Sequence, residues 1–312
     1  MKIYVTGATG VLGRRLVKGL VSRGHTVVGM ARSPKGEDTV RSLGGIPSRA
    51  ELFDSKSLLP DVEGSDVVIH AATSIPVKER MKQTDFALND RIRREGTSVL
   101  TECAVKTGVK KLIFQNVVWV ATPPDGSYFD ESSPVNPNES VQSGIDGENI
   151  VLQAAEKHGF IGISLRCGFF YGSDTAHTRT IAEGLKKRKF PIIGSGNNYW
   201  SNIHVDDAAS AFVTAVLEDL NGVWHVVDDG PVKVGEFLGA FSEKLGAAPP
   251  RRIPLWLGRF LAGSYAVNFF TASTNTSNKK LRAASSWTPR YPTYKEGFAQ
   301  VINDWKAEGF LL

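Results

Sequence analysis

Val5-Thr6-Gly7-Ala8-Thr9-Gly10-Val11-Leu12-Gly13 follows an apolar run beginning at Lys2 and leads into a helical pattern that reaches Arg23. A strand that enters a helix through glycines three residues apart needs a tight backbone bend and a surface that another group can approach without meeting a Cβ. The helix start then offers free amides to an anion. Glycine spacing alone is a weak signal. Here it has a strand before it, a helix after it and a second strand ending about twenty residues on, which is the context a dinucleotide pyrophosphate needs. Gly7, Ala8, Thr9, Gly10, Val11, Leu12 and Gly13 are therefore the expected phosphate loop.

Working outward, strands are expected at 2–5, 25–30, 46–52, 66–71, 111–115 and 161–166. Helices are expected at 84–107, 143–158 and 205–217. Nearly continuous apolar strands alternating with helices indicate a parallel sheet covered on both faces. With right-handed crossovers this is a doubly wound α/β (Rossmann) fold. After Cys167 the chain becomes richer in Gly, Pro and Asn and its elements shorten. The expected division is a dinucleotide-binding domain at 1–166, with 201–228 returning to it, and a smaller α/β substrate region at 167–312.

Composition bounds the function classes. The chain has 312 residues, 41% of them hydrophobic, and a net charge of +5 from 37 basic and 32 acidic residues. The excess is spread out, and its densest run, Lys186-Lys187-Arg188-Lys189, reads as a solvated helix end rather than a nucleic-acid patch. Two cysteines, Cys103 and Cys167, sit in apolar stretches and suit a reducing, cytoplasmic compartment. The first expected strand starts at Lys2, which leaves no room for an ordinary signal peptide. The longest apolar stretch, 255–271, is short for a membrane span and carries Arg259 and Asn268. His, Cys and carboxylate spacing gives no metal signature.

The second strand ends in Ala31-Arg32-Ser33-Pro34-Lys35, where an acidic residue would hold an NAD ribose. Arg32 could clamp a 2′-phosphate, with Ser33 and Lys35 adding donors, so the expected cofactor is NADP. Glu51 and Leu52 are placed at the adenine edge. Ala71, Ala72 and Thr73 are small residues where the backbone passes the ribose and pyrophosphate.

These residues resemble the extended short-chain dehydrogenase/reductase superfamily over nearly the whole chain. The resemblance runs through Thr6 to Gly13, Ile69-His70-Ala71-Ala72, Asp130-Glu131-Ser132-Ser133-Pro134, Leu165 to Gly172, Ile203-His204-Val205-Asp206-Asp207-Ala208 and Trp287-Thr288-Pro289-Arg290-Tyr291. It implies a structural role for His204, Asp206 and Asp207 in joining the second region to the sheet. It also implies possible dimerisation through the helices at 84–107 and 143–158. Members normally catalyse with an upstream Ser or Thr and a Tyr-x-x-x-Lys on the helix after the fifth strand. Here the aligned positions hold Asn116, Ser140 and Gly144, and Arg93 replaces an Asn before Gly96-Thr97. The chain thus resembles the atypical members that keep the glycine loop and lose the catalytic tetrad. Losing a positioned general acid costs about 10²–10⁴-fold, so a substitute donor or an easier reaction is required.

Tyr171 is the first candidate substitute, as a hydroxyl after the sixth strand or else a packing tyrosine. Asn116 could orient a substrate carbonyl, or satisfy backbone groups at a strand end, besides touching the cofactor. Ser140 could relay a proton through water, or serve as a loop serine. Asp146 and Glu148 are read as a solvated helix face, and His177 as a lone histidine that could approach the cleft. The apolar stretch 253–261, with Trp119 and Trp200, would be a lid and walls over an apolar substrate, or simply core. The expectation is an NADP(H)-dependent oxidoreductase acting on a small or medium apolar carbonyl. A redox-neutral epimerase or lyase is the close variant, and a non-catalytic NADPH sensor or partner-binding protein is the rival.

Overall fold

The computed structural model describes residues 1–76 and 82–310. Its first half alternates as the apolar pattern requires. β1 (Lys2–Thr6), α1 (Val11–Val21), β2 (Thr26–Met30), α2 (Pro34–Ser42), β3 (Ile46–Ser48), α3 (Ser55–Val62) and β4 (Val67–His70) follow in turn. β3 is shorter than the expected 46–52. The Ser48 hydroxyl accepts from the Ala50 amide, and Asp54 caps α3 by accepting from Lys56, so the chain turns out of the sheet early.

The helical span expected at 84–107 is built in pieces. A 3₁₀ turn at Gln83–Phe86 leads into α4 (Ala87–Arg91), a π-helical turn at Ile92–Gly96 and α5 (Thr97–Lys106). β5 (Lys111–Val117), α6 (Gln142–His158) and β6 (Ile161–Cys167) complete the unit. α6 ends at Gly159, whose φ of 72° closes the helix as only a residue without a Cβ does readily.

The second half contributes β7 (Phe169–Tyr171), α7 (Ala176–Lys186), β8 (Ile192–Ile193), β9 (Tyr199–Trp200), β10 (Asn202–His204), α8 (Val205–Leu217) and β11 (Gly222–Val226). β12 (Val232–Lys233), α9 (Val234–Lys244), β13 (Arg252–Ile253), α10 (Leu255–Ala262), α11 (Ser264–Thr271), α12 (Lys279–Ala284) and α13 (Tyr294–Glu308) follow.

Among the described residues the main sheet has seven strands in the order β11-β6-β5-β4-β1-β2-β3, all parallel. The order reverses between β1 and β4, which is where doubly wound sheets open a crevice for ligands. α1 and α8 pack on one face through Leu12, Leu16, Leu20, Phe212 and Val216. α3, α5 and α6 cover the other through Leu58, Leu100, Phe114 and Val151. A separate aromatic core holds the second half together around Tyr171, Trp200, Phe237, Phe241, Phe298 and Trp305. Each such side chain contributes about 1.5–3 kcal/mol by leaving water.

Two buried polar devices tie these layers. The Lys111 ammonium donates to the carbonyls of Ala215, Val216 and Glu218, capping the C-terminal end of α8 with a cation. Asp207 accepts from the amides of Arg290 and Tyr291, and the Trp287 indole donates to the Asp207 carbonyl, so the Trp287–Tyr291 segment is clamped to the start of α8.

Candidate active site

The turn from β1 into α1 is shaped by close approach. Gly7 has φ +70°, and a Cβ there would lie 2.5 Å from the Ala71 carbonyl oxygen. A Cβ on Gly13 would lie 2.0 Å from the Gly7 oxygen. Gly10 differs: its Cβ would meet protein only at 3.3 Å, and the residue is exposed. No side chain caps α1, whose first amides are therefore left for an anion. A dinucleotide pyrophosphate fits this cradle, which presents backbone donors behind a glycine with an open outer face.

The loops after β2 and β4 flank the cradle. Arg32 and Lys35 are exposed and, among the described residues, their side chains make no hydrogen bond or ion pair. Ser33 caps α2 by accepting from the Gly36 amide at 3.2 Å. A Cβ on Gly36 would lie 3.2 Å from the Thr9 methyl and 3.4 Å from the Ser33 hydroxyl oxygen, so the start of α2 packs against the glycine turn. Leu52 is buried beneath Gly96, where a Cβ would touch it at 2.7 Å, while Glu51 is exposed beside it. Ala71 is buried against Gly7, and Ala72 and Thr73 run outward from it. Beneath the crevice His70 Nδ1 pairs with the Thr6 hydroxyl at 2.7 Å; burial pushes its pKa down to about 4, so it is neutral.

The three proposed catalytic positions do not converge. Asn116 is fully buried. Its amide donates to the Gly144 carbonyl at 3.1 Å and to Glu148 Oε2 at 3.0 Å, and its Oδ1 accepts from the Val117 amide at 2.9 Å. Every polar atom is committed to protein, so Asn116 is a structural asparagine and not a carbonyl-orienting group.

Tyr171 is also removed from the cleft. It lies in the second aromatic core and donates to Asp228 at 3.2 Å, with a Cβ on Gly297 colliding with its ring. Burial and the neighbouring acids raise its pKa well above the usual phenol range. Ser140 is half-buried in the turn just before α6, where its amide donates to Asn138 Oδ1 at 3.0 Å.

The other candidates fall into place by their partners. Glu148 is not on a solvated face: it is buried and binds Arg166 through two bonds of 2.9 and 2.5 Å while accepting from Ser164 at 2.6 Å. Asp146 pairs with Arg94 at 2.6 Å and accepts from Gln142. His177 is held by the Phe170 carbonyl and packs edge-on against Phe169. His204 caps α8, and Asp206 pairs with Arg15, which also binds Asp174. Trp119 stacks on Phe269 at 4.9 Å, and Trp200 on Phe169 at 4.9 Å, giving an aromatic layer between α11 and β7. The stretch at 253–261 is surface: in α10, Trp256 is 69% and Phe260 72% exposed.

Sequence reasoning missed one arrangement. Arg93, noted only as a departure from a pattern, is 5% exposed, and its Nε has no hydrogen-bond partner. Tyr265, inside an apolar run of α11, packs tilted against Phe86 with ring centroids 4.3 Å apart and faces both Arg93 and Ser140. No local spacing connects residues 93, 140 and 265, and Asp90 and Glu95 beside Arg93 in sequence make it look like an ordinary surface ion-pair arginine, so no local signal marks the arrangement.

A model of the NAD dependent epimerase/dehydratase family matches residues 3–226. The chain belongs to that family. Among curated relatives of this family member is the 3-diazoavenalumate denitrifying reductase of a Streptomyces species, 30% identical over 311 residues, covering 96% of this chain and all of the relative. Another is the 4-hydroxy-2-methyl-3-oxo-4-farnesyl-3,4-dihydroquinoline-1-oxide ketoreductase of Stigmatella aurantiaca, 28% identical over 254 residues, covering 79% of this chain and 74% of the relative. A human epimerase family protein solved with NADPH superposes with a TM-score of 0.80 at 20% identity, over 97% of this chain and all of that one, and so shares the fold. Family membership makes a nicotinamide dinucleotide the cofactor class, and places this epimerase/dehydratase-family chain among dinucleotide-dependent enzymes. Among the described residues no helix is long and apolar enough to cross a membrane.

Proposed function

We propose that this chain is an NADPH-dependent reductase of a small or medium apolar, aromatic or conjugated compound. The observation that carries the reading is the contrast at one crevice. The glycine cradle is complete and sterically committed, while Asn116, Ser140 and Gly144 stand where an acid–base tetrad would be. A bound reduced nicotinamide dinucleotide supplies a hydride. The chain's part is to seat the pyrophosphate on the α1 amides, to meet a 2′-phosphate with Arg32 and Ser33, and to pass the ribose along Ala71–Thr73. The aromatic layer of Trp119, Phe269 and Phe169 supports an apolar acceptor that excludes water.

A second acceptor class is favoured by the reductase from Streptomyces, whose name describes reductive loss of nitrogen from a diazo compound. When the N2+ group of an aryl diazonium form is replaced by hydride, dinitrogen leaves and the carbon product is neutral at that position, so no general acid is needed for that step. A missing tetrad is no handicap to that reaction.

The test is nucleotide consumption followed at the nicotinamide absorbance with apolar carbonyls (menadione, benzil, cinnamaldehyde) and an aryl diazonium salt. Turnover of NADPH with either class supports the reductase. Tight NADPH binding with no turnover across both classes overturns it in favour of a nucleotide sensor.

A further inference from the structure

Resting on that reductase reading, we propose that Tyr265 and Arg93 form a replacement acid site: the Tyr265 hydroxyl protonates the reduced oxygen of a carbonyl substrate, and Arg93 is the cation that stabilises the resulting charge. The elements arrive from three places. Arg93 sits in the π-helical turn at Ile92–Gly96, an interruption of helical register that re-aims side chains and recurs at functional sites. Ser140 and Gly144 come from the start of α6. Tyr265 comes from α11 in the second half of the chain.

Gly144 makes the arrangement possible. A Cβ there would lie 2.7 Å from Asn116 Oδ1 and 3.6 Å from an Arg93 terminal nitrogen. The position that holds lysine in the resembling family is thus bare, and a guanidinium from the neighbouring helix reaches the same place. Ser140, at the aligned tyrosine position, faces the Tyr265 hydroxyl. A phenol and a cation therefore stand where the missing pair would have stood, delivered by other elements.

The surroundings fit a working site. Arg93 is buried, its Nε has no partner, and among the described residues its side chain forms no ion pair. An unpaired buried guanidinium is costly unless something occupies it, and a developing oxyanion is such an occupant. Tyr265 is half-buried and so within reach of a ligand. The Ser143 hydroxyl donates to Asp90 at 2.7 Å, fixing the start of α6 against α4. A hollow of about 390 Å³ lined by Gln83, Asp90, Arg94 and Gln142 opens beside this junction. Burial pushes the Tyr265 pKa up to about 12, while Arg93 and Ser140 pull it down and Asp90 opposes them. At neutral pH the phenol is protonated and ready to donate.

The step balances simply. The substrate carbon gains the hydride supplied by the reduced nicotinamide dinucleotide, and the carbonyl π pair becomes the new oxygen–hydrogen bond to the Tyr265 proton. The tyrosinate left beside Arg93 recovers a proton from solvent.

Two measurements test this. In Tyr265→Phe, kcat with menadione or benzil should fall by about 10²–10³-fold, with NADPH affinity, read from its fluorescence, unchanged. Arg93→Met should fall similarly and Arg93→Lys should recover part of the loss. Independently of activity, the protein is labelled with 3-fluorotyrosine, and the Tyr265 resonance is identified by its loss in Tyr265→Phe. Its fluorine titration should move upward by about 1 pH unit or more in Arg93→Met. Carbonyl reduction at full rate in Tyr265→Phe, or a titration unmoved by Arg93→Met, overturns the proposal. If Tyr265→Phe lowers unfolding stability and leaves kcat intact, the pair is only a tie between α11 and α4. Failure of the wild-type chain to turn over any acceptor sinks the reductase reading instead, and the titration still decides whether the pair is coupled.

Discussion

The two ends of the crevice are built on different principles. At the cofactor end, function resides in backbone: amides, a bend and the absence of Cβ atoms at Gly7 and Gly13. At the proposed chemical end it resides in side chains, and the aligned positions hold Asn116, Ser140 and Gly144. Asn116 is turned inward to serve Glu148 and Gly144, and Tyr265 of α11 faces Ser140 and the Arg93 of the π-helical turn. A site made of backbone tolerates little sequence drift. A site made of side chains can be re-supplied from any element that reaches it.

That contrast can be broken most severely at Gly13. In Gly13→Val the new Cβ would collide with the Gly7 oxygen. The expected result is loss of measurable NADPH binding, with a stability cost of about 3 kcal/mol or more, since backbone cannot yield as a side-chain tip does. Nucleotide fluorescence and urea unfolding report the two effects. Retained binding would mean the turn is not the cradle.

The chemical end predicts a structural penalty where a tetrad would predict a catalytic one. Glu148→Ala leaves Arg166 buried and unpaired and removes the acceptor of Asn116 and Ser164. It should cost about 3–5 kcal/mol in urea unfolding. A fall in turnover with unchanged stability would restore a catalytic role to this cluster.

A smaller effect sharpens the cofactor end. Arg32→Ala should weaken NADPH by about tenfold to a hundredfold, the worth of a charge-assisted hydrogen bond at about 1.5–3 kcal/mol, and barely change NADH. Calorimetric titration of both nucleotides checks this, and equal weakening would mean Arg32 packs on adenine without reading the phosphate.

The smallest effect concerns the floor between the two ends. His70 is held neutral, with its pKa depressed to about 4 by burial. The unfolded chain takes up this proton near pH 6.5 and the folded chain does not until about pH 4. Its contribution to stability is therefore present above about pH 6.5 and is lost as pH falls between those values. At pH 5.5 the loss is about 1 kcal/mol. Urea unfolding at pH 7 and pH 5.5 should show a difference that shrinks in His70→Asn.

The legibility of the chain follows the same division. Parallel strands, the glycine turn and α8 at Val205–Leu217 were readable because hydrophobic period and glycine placement are local properties. β3 stopped short because side-chain caps at Ser48 and Asp54, and not apolar character, ended it. Glu148 was read as solvated because its partner Arg166 lies on the next strand, out of sight of helical periodicity. Tyr171 was misplaced for a related reason. A tyrosine at a strand end looks available until the glycine at 297 on α13 is seen to make room for its ring.

By itself the sequence determined the parallel sheet, the glycine turn and the absence of any Tyr-x-x-x-Lys string between residues 120 and 160, all of which depend on neighbours within a few residues. The tertiary structure decided that Asn116 and Tyr171 are committed elsewhere and that residues 93, 140 and 265 meet. The physical reason is that burial and partnership are properties of packing between distant elements. A side chain's chemistry is set by what faces it, and the residues facing these lie up to 172 positions away in the chain, as Arg93 and Tyr265 do.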